Sequence, residues 1–206
     1  TVATWNGTAW STIGTVAGRV NTMTVFNGDL VVGGSFPLVN GVTTHNLARW
    51  NGTAWSDPGG GVNAEVRALA VFGSLWVGGY FTQAGPLGVS RLALWSGSSW
   101  SAGASFNAPI HSLAVRTGLT AASSFVFAGG DFTSVAGVPA QHIARFTSST
   151  AAWTAIPGLP GNACRVVHVR GTGSTTFVLH AAVIDPGSAV KVWRLNGTSW
   201  TSLGSV

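Results

Sequence analysis

The sequence predicts an all-β chain, a β-propeller of four-stranded antiparallel blades with about four and a half blades in its 206 residues. Three observations carry this expectation. A corner motif, WNGTAW at 5–10, returns unchanged at 50–55 and in looser form as WSGSSW at 95–100, FTSSTAAW at 146–153 and LNGTSW at 195–200. A second landmark keeps the same beat: VVGGSF at 31–36, WVGGYF at 76–81 and VFAGGDF at 126–132, decaying to VLHAAVI at 178–184. Between the landmarks, apolar and polar residues alternate in short runs, with no sustained helical period. The closing indoles Trp10, Trp55, Trp100, Trp153 and Trp200 are 45, 45, 53 and 47 residues apart. Periods of this length belong to propellers, solenoids and arrays.

Each unit reads as four strands. Strand one is NTMTVF at 21–26, VRALAVF at 66–72, IHSLAVR at 110–116 and RVVHVR at 165–170. Strand two ends on the double glycine, where a missing side chain permits a bulge or close approach of a neighbouring backbone. In the last unit His180 is expected to replace one of these glycines. Strand three is NLARW, RLALW, HIARF or KVWRL, and strand four carries the closing Trp. FNGDL at 26–30 is a tight turn between strands one and two. At the corner, Asn6-Gly7 predicts a two-residue type I′ turn. That register would set Ala3, Trp5, Thr8 and Trp10 on one side, with the indoles diagonal across the hairpin. The opposite side carries Thr4, Ala9 and Ser11, and in the next copy Leu47, Arg49 and Ala54. Both sides are partly apolar, so each small sheet needs a neighbour on each face, and radial stacking supplies it. The units fall near 1–14, 15–59, 60–104, 105–158 and 159–206. The first holds only strands three and four. A missing N-terminal segment, a larger ring or a partner chain would supply its inner pair.

Composition narrows the function. Hydrophobic residues make up 46% and charged residues only 7%, against about a quarter in ordinary domains. Such a neutral, hydroxyl-rich surface points to a secreted, extracellular or cell-surface protein. The net charge of +5 reflects scarce acids. The arginines are dispersed, without the basic run that tracks a phosphate backbone, so nucleic acid is not an expected partner. No apolar run is long enough to span a membrane. The chain opens mid-repeat without an initiator Met or a leader, as a piece of something longer would. The single cysteine, Cys164, reads as a small buried apolar residue.

Four strands per unit, the double glycine after strand two and the Trp of strand four resemble kelch and galactose-oxidase-like propellers. The unit TVFNGDLVVGGSFPLVNGVTTHNLARWNGTAWS is more similar still to the repeats of large secreted bacterial propeller proteins, and to those of a fungal cortical-marker family of the Rax2 type. The resemblance spans nearly the whole chain. It implies extracellular placement and a binding or scaffold role. The copper chemistry of galactose oxidase does not carry over: Tyr80 is the single tyrosine, Cys164 lies in strand one of the last unit, and no cofactor is expected.

Candidate ligand residues are those that break the repeat. Trp76 stands where Val32 and Phe127 are its expected counterparts. Tyr80 and Asp131 follow the double glycine where the first unit has Ser35. Arg49, Arg145 and Arg194 share one position before the strand-three aromatic, interrupted by Thr4 and Leu94. They form either an inward guanidinium ring holding an anion or side-chain bonds to carbonyls of neighbouring blades. The histidines (His45, His111, His142, His168, His180) have no metal-ligand spacing. The acids (Asp29, Asp57, Glu65, Asp131, Asp185) name no flanking pair of the glycosidase kind. Variable loops at 36–46, 81–91, 132–142, 117–124 and 170–176 are candidate surfaces. N-x-T sequons at Asn6, Asn51 and Asn196 coincide with the turns. The reading that follows is a non-catalytic extracellular scaffold, binding a protein or a surface polysaccharide or associating with copies of itself. A lectin-like propeller comes second, and a secreted enzyme third.

Overall fold

The computed structural model describes residues 1–171, 177–184 and 189–205. Every named element among them is a strand except one 3-10 turn at Ala121–Ser123. A leading hairpin, β1 (Val2–Trp5) and β2 (Trp10–Gly14), precedes four blades. Blade one runs β3 (Arg19–Phe26), β4 (Asp29–Ser35), a small hairpin β5 (Leu38–Val39) and β6 (Val42–Thr43), then β7 (Leu47–Trp50) and β8 (Trp55–Ser56). Blade two repeats this with β9 (Val66–Phe72), β10 (Ser74–Gly79), β11 (Gln83–Ala84), β12 (Leu87–Gly88), β13 (Leu92–Trp95) and β14 (Trp100–Ala102). Blade three has β15 (Ile110–Arg116), β16 (Phe125–Gly130), β17 (Ser134–Val135), β18 (Val138–Pro139), β19 (Ile143–Thr147) and β20 (Ala152–Ala155). Blade four has β21 (Ala163–Gly171), β22 (Phe177–Ile184), β23 (Val190–Asn196) and β24 (Ser199–Ser205). Every blade is an antiparallel sheet ordered one-two-three-four. The first strands lie against one another in sequence, β3 with β9, β9 with β15 and β15 with β21. They converge on a common axis, and the fourth strands lie outermost. The chain is therefore a β-propeller of four blades and a leading half-blade.

The core is not one central mass. Four apolar clusters form, one in each seam. Val2 of the leading hairpin packs with Val32, Ala48 and Trp55 of blade one. Val31 and Leu47 meet Val66, Val77 and Trp95 of blade two. Trp76 and Leu92 meet Ile110 and Ala128 of blade three, and Phe127 and Ile143 meet Cys164, Val167 and Leu179 of blade four. Phe36, Phe81 and Phe132, one residue past the position after each double glycine, are fully buried. Each contributes roughly 1.5–3 kcal/mol by leaving water.

The double glycines are seats for the next blade. A Cβ on Gly33 would lie 2.5 Å from Val66 Cγ1, on Gly78 2.9 Å from Ile110 Cγ2, and on Gly129 2.5 Å from Val167 Cγ2. The first glycine of each pair thus receives an apolar side chain from strand one of the following blade. The second (Gly34, Gly79, Gly130) accepts close approach of its own blade's strand-one backbone, at Arg19, Glu65 and Pro109. The ladder is bulged at each of these points. In blade four the register puts Ala182 opposite Val166 and Val183 opposite Cys164. Ala182 and Val183, not His180, therefore replace the glycines. Both carry the Cβ that the other three blades omit at these positions. The same register corrects the counterparts of Trp76. They are Val31 and Phe127, two residues before the first glycine, and His180 is the fourth member of the series.

The corner also differs from its expected form. Trp5 pairs directly with Trp10, and Ala3 with Thr12, so a four-residue loop connects the strands and Thr8 lies in it. Only Gly7 has a positive φ there. Asn6 Oδ1 accepts from the backbone N–H groups of Thr8 at 2.9 Å and Ala9 at 2.8 Å. This side-chain turn replaces the type I′ backbone turn. Asn51 does the same in the next copy, and Ser96 Oγ in the third. The indoles pack directly opposite each other across the strands, with centroids 5.4 Å apart for Trp5–Trp10 and 5.1 Å for Trp95–Trp100 and ring planes tilted by 44° and 50°. Two-residue geometry with two positive φ values occurs instead in FNGDL, at Asn27 and Gly28.

The closing indoles lock each blade to the one before it. Trp55 Nε1–H donates to the Ile13 carbonyl at 2.7 Å, Trp100 to Gly59 at 3.1 Å and Trp200 to Pro157 at 3.2 Å. Trp153 makes an aromatic contact instead, against Trp76, Phe106 and Phe146.

Candidate functional site

Two constellations collect the residues that break the repeat. The first is a series of equivalent cavities on the outer part of the seams. Each is bounded by the aromatic or β-branched residue of strand two, the strand-three position before the aromatic, the segment after strand four, and the corner of the next blade. Between blades one and two the lining includes Val31, Arg49, Pro58 and Gly97, and the space is only about 40 Å³. Between blades two and three it includes Trp76, Leu94, Ala104 and Trp153, with about 540 Å³. Between blades three and four it includes Phe127, Arg145, Pro157 and Gly197, with about 230 Å³.

Trp76 lines its cavity from strand two, as Val31 and Phe127 do in the other seams; Arg49 and Arg145 line theirs from strand three, where blade two has Leu94, and Arg194 holds the same strand-three place in blade four, opposite His180. The arginines do not form an inward ring. They sit on strand three, away from the axis, and point toward the next blade. Arg49 forms an ion pair with Asp29 of its own blade at 2.5 Å. Arg145 lies over the Phe125 ring, 5.0 Å from its centroid. Neither engages a neighbouring blade's carbonyl.

The second constellation is a polar collar at the axial end where strand two finishes and strand one begins. It gathers Tyr80 and Asp131 with residues that looked isolated in the sequence. His111 Nε2 lies 2.8 Å from Asp131 Oδ2, and Arg165 reaches Asp131 Oδ1 at 3.5 Å and also touches the His111 ring nitrogen. The Tyr80 ring sits 5.8 Å from that of His111. Asn21 Nδ2–H donates to Glu65 Oε1 at 2.8 Å, and Arg67 pairs with the same oxygen at 3.1 Å. Blade one is thereby tied to two, two to three, and three to four.

Burial is the main influence holding His111 below its ordinary pKa; the bond to Asp131 opposes it, and Arg165 and Arg67 reinforce it. His111 Nδ1 is buried without a hydrogen-bond partner among the described residues. The carboxylates of Glu65 and Asp131 are each held by a cation and a second donor. This is the chemistry of a cross-blade clamp. The only sequence sign of it was Asp131 itself, an acid where the other units carry Ser35 and Tyr80; its partner His111 is buried and comes from another strand.

Cys164 is buried and its thiol is pushed up to about 12, chiefly by desolvation, so it stays protonated. His168 and His180 face each other across strands with ring centroids 6.0 Å apart. Burial lowers the pKa of His180 first, with His168, Arg194 and Arg170 adding to the effect. His45 pairs with Asp57 at 2.7 Å. Among the described residues, no three His, Cys, Asp or Glu side chains are grouped to hold a metal ion. Asp185 and most of the 170–176 loop lie outside the described residues.

A family model described as a domain of unknown function (DUF5122) beta-propeller matches residues 126–149, from strand two of blade three toward its corner. No curated protein matches the chain. The matched stretch carries the double glycine, Asp131, Arg145 and the first half of the corner, so this chain is similar to that β-propeller family in the part of the repeat that builds both constellations.

Proposed function

We propose that this protein is a non-catalytic binding scaffold whose leading half-blade, β1 and β2, is completed by a two-stranded β-hairpin, supplied by a further segment of the same protein or by a partner chain. One observation carries the reading: the surfaces that every internal seam covers are bare at this end. Trp10 is 70% exposed, whereas its counterparts Trp55 and Trp100 are 6% and 9% exposed. Met23 and Val25, on the face of blade one that an inner strand pair would cover, are 57% and 63% exposed. Among the described residues β1 pairs with β2 alone, while strand three of each four-stranded blade pairs on both edges. A hairpin of the strand-one and strand-two type fits here by continuing the existing ladder, and edge pairing of this kind is a recurrent mode of protein recognition. The low charge and hydroxyl-rich composition support placement outside the cell or at its surface.

The test is titration with a synthetic peptide of residues 66–81, which carries such a strand pair. Saturable one-to-one binding that is lost in Val25→Asp, with the melting temperature unchanged, is the expected result. No binding, or self-association of the chain that the peptide does not compete with, overturns the choice of occupant. A second reading, capture of a carbohydrate or other small ligand between blades, draws on the equivalent placement of the seam cavities. Ligand-dependent protection of Trp76 and Trp153 from chemical modification would favour it.

A further inference from the structure

The cavity between blades three and four differs from its counterpart between blades one and two in volume, in its apolar walls and, most consequentially, in the partner of its arginine. In blade one, strand two opens on Asp29, opposite Phe26, and its carboxylate neutralises Arg49. In blade three the same register position, opposite Arg116, holds Phe125. Arg145, the counterpart of Arg49, keeps the cation and has no described carboxylate within ion-pair distance. Its guanidinium rests on the Phe125 ring, and its Nε is buried without a hydrogen-bond partner. A second guanidinium, that of Arg116, lies 5.6 Å from the same ring centroid and adds positive potential. Arg145 opens onto about 230 Å³ of space walled by Phe127, Ile156, Pro157, Phe177 and Leu195. That is below the roughly 300–1,000 Å³ of sites for drug-sized ligands. A cation facing an apolar, partly enclosed space recruits an anion strongly, because water screens the attraction poorly there.

We propose that the blade three–four cavity is a binding site for a small organic monoanion with an apolar body, its carboxylate paired to Arg145 and its body held against Phe127, Phe177 and Leu195. The ligand carboxylate takes the role that Asp29 plays in blade one. The proposal is independent of the hairpin-binding reading, since the cavity lies at the opposite end of the blade array.

The experiment titrates the whole chain with phenylacetate and, separately, with phenylacetamide, a neutral molecule of nearly the same shape, following the methyl resonances of Ile156 and Leu195. Both methyls shift saturably with phenylacetate, and the amide binds about tenfold more weakly or worse, as charge-assisted pairing to Arg requires. Phe125→Asp, which recreates the blade-one pair, weakens phenylacetate binding by about tenfold or more. Arg145→Gln does the same, while Arg145→Lys retains part of the affinity. The proposal is overturned if phenylacetate does not bind, if acid and amide bind alike, if a folded Phe125→Asp or Arg145→Gln chain binds as wild type does, or if the shifts centre on another seam. The acid–amide comparison needs no variant and decides the matter even if both substitutions unfold the chain.

Discussion

The internal seams and the leading hairpin are built from the same residues and behave oppositely. Between blades one and two, the corner indoles Trp95 and Trp100 are buried against the preceding blade, and Trp100 is hydrogen-bonded to it. At the leading hairpin the same pair, Trp5 and Trp10, packs in a tilted contact and is exposed. The contrast teaches that an indole in this repeat stabilises nothing by its presence in the motif. It does so only when a preceding blade offers a carbonyl and an apolar wall. The propeller is therefore a chain of nearest-neighbour interfaces, as expected of repeat architectures.

Truncation separates the two regions most sharply. Trp100→Ala removes a buried aromatic and leaves the Gly59 carbonyl without its donor; it is expected to cost about 3–5 kcal/mol. Trp10→Ala, at the exposed counterpart, is expected to change stability by no more than about 0.5 kcal/mol. Chemical denaturation of both variants checks the pair, and equal losses would break the comparison.

Next in size is the glycine seat. Gly78→Val drives a side chain into Ile110 of the next blade and is expected to destabilise by about 1–3 kcal/mol or more. Ala182→Val, at the corresponding half-buried position of blade four, which already carries a Cβ, is expected to cost less. A comparable loss at both sites would show that the glycine answers to its own strand rather than to its neighbour.

The polar collar gives a smaller effect with a definite pH sign. His111 titrates below its ordinary value in the folded chain, so the unfolded chain takes up the proton first as pH falls through about 6.5. Its contribution to stability is present above that pH and is lost as the solution is acidified, until the folded pKa is reached. Melting temperature measured from pH 7.5 to pH 5 should decline, and His111→Gln should flatten part of the decline. A slope unchanged in the variant would remove His111 from the account. The smallest effect belongs to the Arg49–Asp29 pair, whose arginine is largely in solvent; Asp29→Asn is expected to cost about 1 kcal/mol or less.

Much of the architecture was legible in the sequence because it is periodic. The corner, the double glycine and the alternation each recur, and each marks a contact that recurs. The turn at Asn6 was misread because Asn-Gly favours a type I′ turn in isolation, while the following Thr8 and Ala9 amides let the Asn6 side chain close a wider loop. His180 was misplaced for the opposite reason: with both glycines gone from blade four, only the strand-one bulge at Cys164 and Val166 fixes the register. The candidate site was legible as single departures, Trp76, Tyr80, Asp131 and the arginines, but not as groups. Asp131 and His111 lie on different strands, and Asp131 and Arg165 on different blades, so no local spacing joins them. The exchange of Asp29 for Phe125 becomes visible only once both strands have been aligned by their pairing.

The most direct test of the radial account is hydrogen exchange at the indole N–H groups, resolved by NMR. Trp55 and Trp100, which donate to Ile13 and Gly59 of the preceding units, should exchange far more slowly than Trp10. Uniformly fast exchange at all three, or protection of Trp10 equal to that of Trp100, would contradict the claim that these side chains are wedged between successive blades.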